Sequence, residues 1–431
     1  MGNTDRYAGE TAVSRTRRAF TAAAGSPVRA RNVRGSSAPR TGTMFNKSFS
    51  DLLEIREASA SSAVGLAEAQ GWRPTMEDAF VMNLDAIPGC SVVAVFDGHG
   101  GSTVSAYGAR ELAPRLAAAL GDCGGDGERA LARVFLDLDA ALRDEHGAAL
   151  DQMGSTVVCV LVAPDSLTCG WLGDSRAVLC AGGAAAPLSF DHKPQGDGER
   201  ARIAAAEGHV FRGRVNGMLA VSRALGDFLY KARSDLGPEA QLVSCEAGAG
   251  RRARDAASDE FLVVACDGIW EKLTNDQACA LVRAAWHAGS KTPEAAARKL
   301  VEWSLLCGST DNMTCCVVVL DAAKLDAVSE ADARRGLEAA GLSYPAALHA
   351  RDVLGLRRAG VGAMDEKAVL GLVEACGLGR HAKAFAENRV DGECLLEVAE
   401  AEFVEDLHMA PADARFLALA LGWWEKTTSW A

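Results

Sequence analysis

The sequence predicts an α/β layered domain followed by a small all-α unit. Short Val-rich runs bounded by Gly, Asp or Pro indicate strands, and they recur between residues 91 and 320. Longer amphipathic stretches lie between the strand groups. They come in pairs, which argues against a parallel sheet with single crossover helices. After Asp321 the strand pattern stops, and short helical patterns with glycine turn signals follow.

Each predicted element has a local signal in the chain of 431 residues. Strands are predicted at 91–96, 156–162, 169–172, 177–180, 261–266 and 314–320. Helices are predicted as two pairs, 102–120 with 128–150 and 275–288 with 293–306, with Thr274 and Thr292 as N-caps of the second pair. We expect the main domain over residues 60–322, a helical linker over 323–363 and the all-α unit over 364–428.

Residues 1–59 are predicted to be a disordered, basic segment. Acidic residues are rare in residues 1–47, and this composition cannot bury enough apolar surface to fold alone. An Arg- and Ser-rich start is also typical of an organelle transit peptide, and Gly2 is a candidate for myristoylation, although Arg6 breaks the usual pattern. We expect a cytoplasmic or nuclear protein, with organelle targeting or membrane attachment through Gly2 as the alternatives.

The composition narrows the class of protein further. The formal net charge of -12 argues against a nucleic-acid-binding surface. No apolar stretch reaches the roughly 18 residues of a membrane span. The 13 cysteines form no C-x-x-C pair, and several lie inside apolar runs, so we expect free, buried thiols in a reducing compartment.

Five acidic motifs stand at the ends of predicted strands, beside small or polar residues. They contain Glu77 with Asp78, Asp97, Asp174, Asp267 and Asp311. Rigidly held carboxylates suit hard divalent ions such as Mg²⁺ and Mn²⁺, which prefer oxygen ligands. One such aspartate would usually only cap a helix or make a turn. Five of these motifs in one chain indicate a metal centre.

Two further side chains near these motifs suit phosphate chemistry. His99 follows Asp97 by two positions in a glycine-rich loop, and an imidazole with a pKa of about 6.5 can donate a proton to a leaving alkoxide. Arg73 lies shortly before Glu77, and a planar guanidinium can grip a phosphate through two parallel hydrogen bonds. Alone, each would be a surface or structural residue, but with the carboxylates they form a candidate catalytic set.

Eight short runs that contain these residues follow one another in a fixed order. They are 70–73 with 76–79, 96–101, 154–156, 173–177, 191–194, 214–227, 265–270 and 309–314. Together they resemble the metal-dependent Ser/Thr protein phosphatases of the 2C family, over roughly residues 62–321. The resemblance implies a four-layer sandwich of two packed antiparallel sheets flanked by helix pairs. It also implies a binuclear Mg²⁺ or Mn²⁺ centre that activates water to hydrolyse phosphoserine or phosphothreonine in phosphoprotein substrates.

The resemblance assigns ligands to the two ions. Asp97 would bridge both ions, and Asp267 and Asp311 would hold one of them. Glu77 and the Gly98 carbonyl would serve the other ion. A weaker third site would use Asp174 and Glu271, where the family more often has aspartate at the second position.

The resemblance also assigns roles around the metal centre. Asp78 would support the ligands from behind, Arg73 would bind the substrate phosphate, and His99 would be the general acid. Arg214 and Asn216 would belong to a flap near the substrate. Two other functions stay open: a non-catalytic scaffold on the same fold, and a metal-dependent phosphodiesterase or nuclease, which the acidic charge disfavours.

The C-terminal unit, from about residue 369 to 426, resembles a sterile alpha motif domain. The runs 385–396 and 403–409 carry this resemblance. Such domains commonly mediate protein association, and some bind RNA. We therefore expect self-association or a protein partner, with no nucleic acid, and the alternative is a helical appendage that packs on the phosphatase domain.

Overall fold

A computed structural model of the chain describes residues 53–58, 62–288, 291–342, 361–376 and 378–428. Most of the predicted basic segment, Gly2 included, and residues 343–360 of the predicted linker lie outside these described residues. No helix in the described part combines the length and hydropathy that crossing a membrane requires.

Two antiparallel sheets form the centre of the fold. The larger sheet contains β1 (Leu53–Ala58), β2 (Ala63–Ala69), β9 (Arg176–Ala181), β10 (Ala184–Pro187), β15 (Asp259–Ala265) and β16 (Met313–Val319), in the order β1-β2-β16-β15-β9-β10. The second contains β3 (Ala79–Ile87), β4 (Cys90–Phe96), β7 (Val157–Val162), β8 (Ser166–Leu172) and β14 (Gly248–Ala253), in the order β14-β8-β7-β4-β3.

Short strands complete the edge where the candidate site lies. A small sheet contains β5 (Gly98–His99), β6 (Gly154–Ser155) and β13 (Leu225–Gly226), in the order β13-β6-β5. A hairpin pairs β11 (Val210–Phe211) with β12 (Arg214–Val215). The small sheet connects the residues that follow β4 to the residues that follow β13.

Helix pairs cover the outer face of each main sheet. The pair α1 (Thr103–Asp122) and α2 (Gly127–His146) packs on the five-stranded sheet, and α5 (Asn275–Ala288) with α6 (Pro293–Leu306) packs on the six-stranded sheet. Shorter helices are α3 (Asp197–Ala205), α4 (Asp267–Trp270), α7 (Ala322–Ala327) and α8 (Glu330–Ala339). The hydroxyls of Thr274 and Thr292 accept hydrogen bonds from the first turns of α5 and α6, as expected.

The four-layer prediction is confirmed. Buried Val, Leu and Cys side chains of both sheets, such as Val95, Val160, Leu262 and Val318, form one core between the sheets. Alternate residues of the same strands point outward and pack against the helix pairs. Because side chains alternate between the two faces of a strand, a strand that is apolar throughout must be covered on both faces, which explains its continuous Val-rich run.

The start of the folded part corrects the sequence prediction. Residues 53–58 fall within the segment predicted to be disordered, yet they form β1 and pair with β2 from Leu53↔Glu68 to Ala58↔Ala63. The sequence Leu-Glu-Ile-Arg-Glu-Ala is too rich in charge to stand out as a strand. Pairing with β2 supplies hydrogen-bond partners for its backbone groups. The sequence of residues 53–58 alone gives no indication of this pairing.

The C-terminal part is all-helical in its described residues, as expected. It contains α9 (Glu366–Ala375), α10 (Ala382–Glu387), α11 (Gly392–Glu397), α12 (Glu400–Glu405) and α13 (Pro411–Thr428). Phe385 and Phe403 are fully buried and stack with their ring centres 6.4 Å apart. The sterile alpha motif itself stays a prediction.

Candidate active site

Three aspartates from different strand ends meet at one edge of the sandwich. Asp97 directly follows β4 of one sheet, Asp174 lies just after β8 of the same sheet, and Asp267 stands two residues after β15 of the other. Carboxylate oxygens of these three residues lie within 4.8 Å of one another. The two sheets pack so that these strand ends coincide, which brings residues 170 positions apart in the sequence, Asp97 and Asp267, into one cluster.

Burial and like charge dominate the electrostatics of this cluster. Burial, followed by the charges of Asp267, Asp78 and Asp174, raises the pKa of Asp97 well above its usual range. Burial and the neighbouring carboxylates Asp174 and Asp311 raise the pKa of Asp267 to about 7. Carboxylates that repel one another in a buried site favour either a bound proton or a bound cation. The cluster therefore suits a divalent ion.

Asp78 is buried beside Asp97. Its Oδ2 accepts a hydrogen bond from Thr314 Oγ1 at 2.7 Å, while its Oδ1 has no hydrogen-bond partner within the described part of the chain. Burial raises the pKa of Asp78 to about 7. Asp78, Asp97 and the thiol of Cys266 also lie within 4.8 Å of one another. Burial raises the pKa of Cys266, so the thiol stays protonated and does not suit a hard ion.

Arg73 and Asp311 form an ion pair at the cluster. Arg73 Nη2 donates to Asp311 Oδ2 at 2.6 Å, and the Arg73 side chain is 55% exposed. Burial would lower the pKa of the guanidinium, but Asp311, Asp97 and Asp267 outweigh that effect and raise it. The cation therefore faces all three predicted aspartate ligands and remains accessible to a phosphate from solvent.

Asn312 is an organising residue that the sequence did not single out. Its Nδ2 donates to the carbonyls of Gln70 and Thr75 at 2.8 and 3.0 Å, and its Oδ1 accepts from the backbone N–H of Glu77 at 2.8 Å. One amide thus joins the loop that carries Arg73 and Glu77 to the segment that carries Asp311. Its position within the run 309–314 was the only signal in the sequence.

Gly98 lies where no side chain fits. A Cβ atom there would stand 2.3 Å from the carbonyl oxygen of Glu77. The close approach brings the Gly98 backbone beside Glu77, the two residues expected to serve the same ion. Glu77 itself accepts a hydrogen bond from Thr75 Oγ1 at 2.9 Å.

His99 is held by an aspartate that the sequence prediction missed. His99 Nε2 lies 2.7 Å from Asp227 Oδ2, and the Asp227 side chain is only 2% exposed. Burial would lower the pKa of His99, but the charge and the hydrogen bond of Asp227 outweigh it and raise the pKa. Gly154 leaves the space for this pair, because a Cβ there would lie 2.2 Å from Asp227 Oδ2. The carboxylate of Asp227 therefore favours the protonated imidazole, the state a general acid needs.

The two residues predicted for the weaker third site differ in burial. Asp174 is buried within the cluster and accepts a hydrogen bond from Lys193 Nζ. Glu271 is exposed and follows α4, and the acidic group described above does not include it. Asp191 pairs with Arg176 through two hydrogen bonds of 2.9 Å.

The predicted flap is a tight hairpin. Arg214 Nη1 donates to the Met218 carbonyl at 2.7 Å, and Asn216 Oδ1 accepts from the backbone N–H of His209 at 3.0 Å. Asn216 has a φ of 50°, a left-handed conformation that asparagine tolerates better than most residues. Both residues thus shape the hairpin, and Phe211 and Met218 are exposed on it.

Comparison with known proteins identifies the family. Residues 62–313 match the family described as Protein phosphatase 2C. The chain is 42% identical over 268 residues to the human "Probable protein phosphatase 1N", which covers 61% of this chain and 62% of that protein. It is 36% identical over 278 residues to Protein phosphatase 2C homolog 2 of Saccharomyces cerevisiae, which covers 61% of this chain and 59% of the yeast protein. A solved phosphatase structure from a pathogenic strain of Toxoplasma gondii has a TM-score of 0.56 and 26% identity, covering 62% of this chain and 96% of that one.

The matched region coincides with the sandwich. The chain spans about three fifths of the length of the human and yeast proteins. Residues 62–313 include the acidic cluster, Arg73 and the His99–Asp227 pair, whereas the C-terminal helices lie outside the match. The matched residues 62–313 make up more than half of the 431 residues. The chain therefore belongs to the protein phosphatase 2C family.

Proposed function

We propose that this chain is a Mg²⁺- or Mn²⁺-dependent phosphatase that hydrolyses phosphoserine and phosphothreonine in proteins. One observation carries the proposal: the carboxylates of Asp97, Asp174 and Asp267 lie within 4.8 Å of one another, and burial and their mutual repulsion raise the pKa of Asp97. Phosphatases of this family are metal-dependent. Arg73 and His99 stand beside the cluster with the charges that phosphate binding and proton donation require.

The charge of the described carboxylates supports binding of divalent cations. The unpartnered Oδ1 of Asp78 and the raised pKa values of the clustered carboxylates support this, because a bound cation would relieve their mutual repulsion. When bound, Mg²⁺ or Mn²⁺ supplies Lewis acidity toward the phosphate and a nucleophilic water at neutral pH. The proposed ligands are Asp97, Asp267, Asp311, Glu77 and the Gly98 carbonyl, with Asp174 and Glu271 for a weaker third ion.

The chain's own residues orient the substrate and move the proton. Asp311 holds the Arg73 guanidinium, whose other nitrogens can donate to two phosphate oxygens. Asp227 holds the imidazole of His99 through Nε2, which leaves Nδ1 to donate a proton to the departing serine or threonine oxygen. Asp227 also stabilises the protonated imidazole before the transfer. The hairpin with Arg214 and Asn216 would contact the protein substrate around the phosphorylated residue.

A direct assay tests this proposal. We expect the purified full chain to release phosphate from a phosphothreonine peptide and from a small aryl phosphate only when Mn²⁺ or Mg²⁺ is present. Asp97→Asn should abolish the release. Asp235→Asn, which alters an exposed aspartate paired with Arg233, is the matched control and should leave it unchanged. Absence of release from both substrates would favour the scaffold alternative, and cleavage of a phosphodiester instead would favour the phosphodiesterase alternative.

We propose a protein-association role for the C-terminal unit. The compact set of helices from α9 to α13 supports it, because small helical domains present grooves and end surfaces to partners. Light scattering of the full chain over a range of concentrations tests self-association. A monomer mass at every concentration would exclude self-association and favour binding to a different protein.

We propose a cytoplasmic or nuclear location, to be tested by microscopy of the full chain and of a chain lacking residues 1–47. A change of compartment upon that deletion would instead favour targeting or membrane attachment through the N-terminus.

A further inference from the structure

The C-terminal helix α13 packs directly on the phosphatase domain. Phe416 of α13 stacks on Trp303 of α6, with ring centres 6.2 Å apart and an interplanar angle of 15°. Phe416 is 1% exposed and Trp303 3% exposed, and Leu417 and Ala420 on the same helix are also buried. Without α13, the indole of Trp303 would face water at a considerable cost in free energy. The two parts of the chain therefore share one hydrophobic core.

The seam between the two parts is closely packed. A cavity of about 50 Å³ lies there, bordered by Lys272, Trp303 and Cys307 from the phosphatase domain and by Arg415 and Phe416 from α13. Such a volume holds little more than a water molecule or two, so the seam is a packed contact and no ligand pocket. Burial raises the pKa of the Cys307 thiol to about 11, which lowers its reactivity while the seam is closed.

The seam lies directly behind the two segments that carry metal-ligand candidates. Lys272 follows α4, the helix that begins at Asp267. Cys307 begins the loop that ends at Asp311, and Ser309 in this loop donates from Oγ to the Gly268 carbonyl at 2.9 Å. The same loop is tied to the loop of Arg73, because the N–H of Trp72 donates to the Thr310 carbonyl. A shift of Cys307 or Lys272 would therefore be transmitted to both aspartates.

We propose that docking of α13 positions the segments of Asp267 and Asp311, so that Phe416 and Trp303 are positioning residues for metal binding. The C-terminal unit is then a part of the working phosphatase domain, and a partner that draws α13 away would weaken metal binding. This inference rests on the proposed metal centre, but its contact can be tested without any assay of activity.

Phe416→Ala in the full chain is the informative variant. We expect Cys307 to be alkylated by N-ethylmaleimide about tenfold faster, as measured by mass spectrometry of its peptide, because the seam opens. We expect calorimetry to show Mn²⁺ binding weakened several-fold. Phe416→Leu, which keeps an apolar side chain, should restore most of both properties.

Phe190→Ala is the matched control, because it removes an exposed phenylalanine that does not border the seam cavity. It should change neither alkylation of Cys307 nor Mn²⁺ binding. If Phe416→Ala leaves alkylation of Cys307 unchanged, the docking is wrong. If Cys307 becomes reactive while Mn²⁺ binding keeps its affinity, the docking is right and the positioning role is wrong. A chain that binds Mn²⁺ but hydrolyses nothing would refute the proposed activity and leave this inference standing.

Discussion

Two groups of largely half-buried charged residues differ in how the protein balances the charge of their carboxylates. In the acidic cluster, burial and neighbouring carboxylates raise the pKa of Asp97 well above its usual range. Around α3, Glu199 is also mostly buried, yet hydrogen bonds from Arg223 and Ser222 and the charge of Arg202 outweigh burial and lower its pKa. One carboxylate is left without compensation, and the other is neutralised by the protein.

A second neutralised pair lies deeper in the fold. Lys231 Nζ donates to Asp139 Oδ1 at 2.6 Å, and both side chains are almost completely buried. Asp139 also accepts from the backbone N–H of Gly226 at 2.8 Å, which anchors the strand next to Asp227. The difference teaches that buried charge alone does not mark a functional site. A functional site is indicated by charge that the protein itself does not balance, since a ligand of opposite charge must then balance it.

The largest expected effect comes from removing one charge of the unpaired cluster. Asp97→Asn should lower phosphate release on the order of 1,000-fold, as loss of an electrostatic group at a reacting centre does. The same change should leave the melting temperature of the metal-free protein unchanged or raise it, because it relieves repulsion among buried carboxylates. Activity assays and differential scanning calorimetry without metal measure the two effects. A clear fall in the metal-free melting temperature would contradict the view that Asp97 is unpaired.

Breaking the ion pair of Lys231 and Asp139 should instead lower stability and leave activity almost unchanged. Lys231→Met leaves Asp139 charged and buried, and this should lower the free energy of unfolding by about 3 kcal/mol. Activity per folded molecule should change little, which urea denaturation and activity assays below the transition would show. The double variant Lys231→Met with Asp139→Asn removes the stranded charge and keeps an acceptor for Gly226, so it should recover part of the loss. Equal destabilisation in both variants would show that the pair contributes through packing alone.

The sequence predicted the strong strands and the residues at their ends. Val-rich runs such as 91–96 and 261–266 are apolar on both faces, so a local pattern was enough to place Asp97 and Asp267. β14 was missed because Gly-Ala-Gly-Arg-Arg-Ala has little strand propensity and is held by its pairing with β8. β1 was missed for the same reason.

Contacts between distant segments could not be read from local patterns. Asp227 reaches His99 across 128 positions, and Asn312 reaches the N–H of Glu77 across 235. Both residues stood inside runs that resemble the family, but the runs gave no partner for either. Packing of the two sheets determines these contacts. Neither the hydrophobic periodicity nor the spacing of motifs in the sequence predicts that packing.

The smallest expected effect concerns the completion of the unpaired cluster by metal. Mn²⁺ at about 100 times its dissociation constant should stabilise the folded chain by about 2.7 kcal/mol, because it binds the folded cluster and not the unfolded chain. Asp97→Asn should lose most of this stabilisation, since it removes one of the proposed metal ligands. Glu199→Gln, which alters the neutralised group, should keep it in full although its metal-free stability falls. Thermal unfolding with and without Mn²⁺ gives all three values. Equal Mn²⁺ stabilisation of the two variants would mean that Mn²⁺ binds elsewhere, and the contrast between the two groups would then say nothing about function.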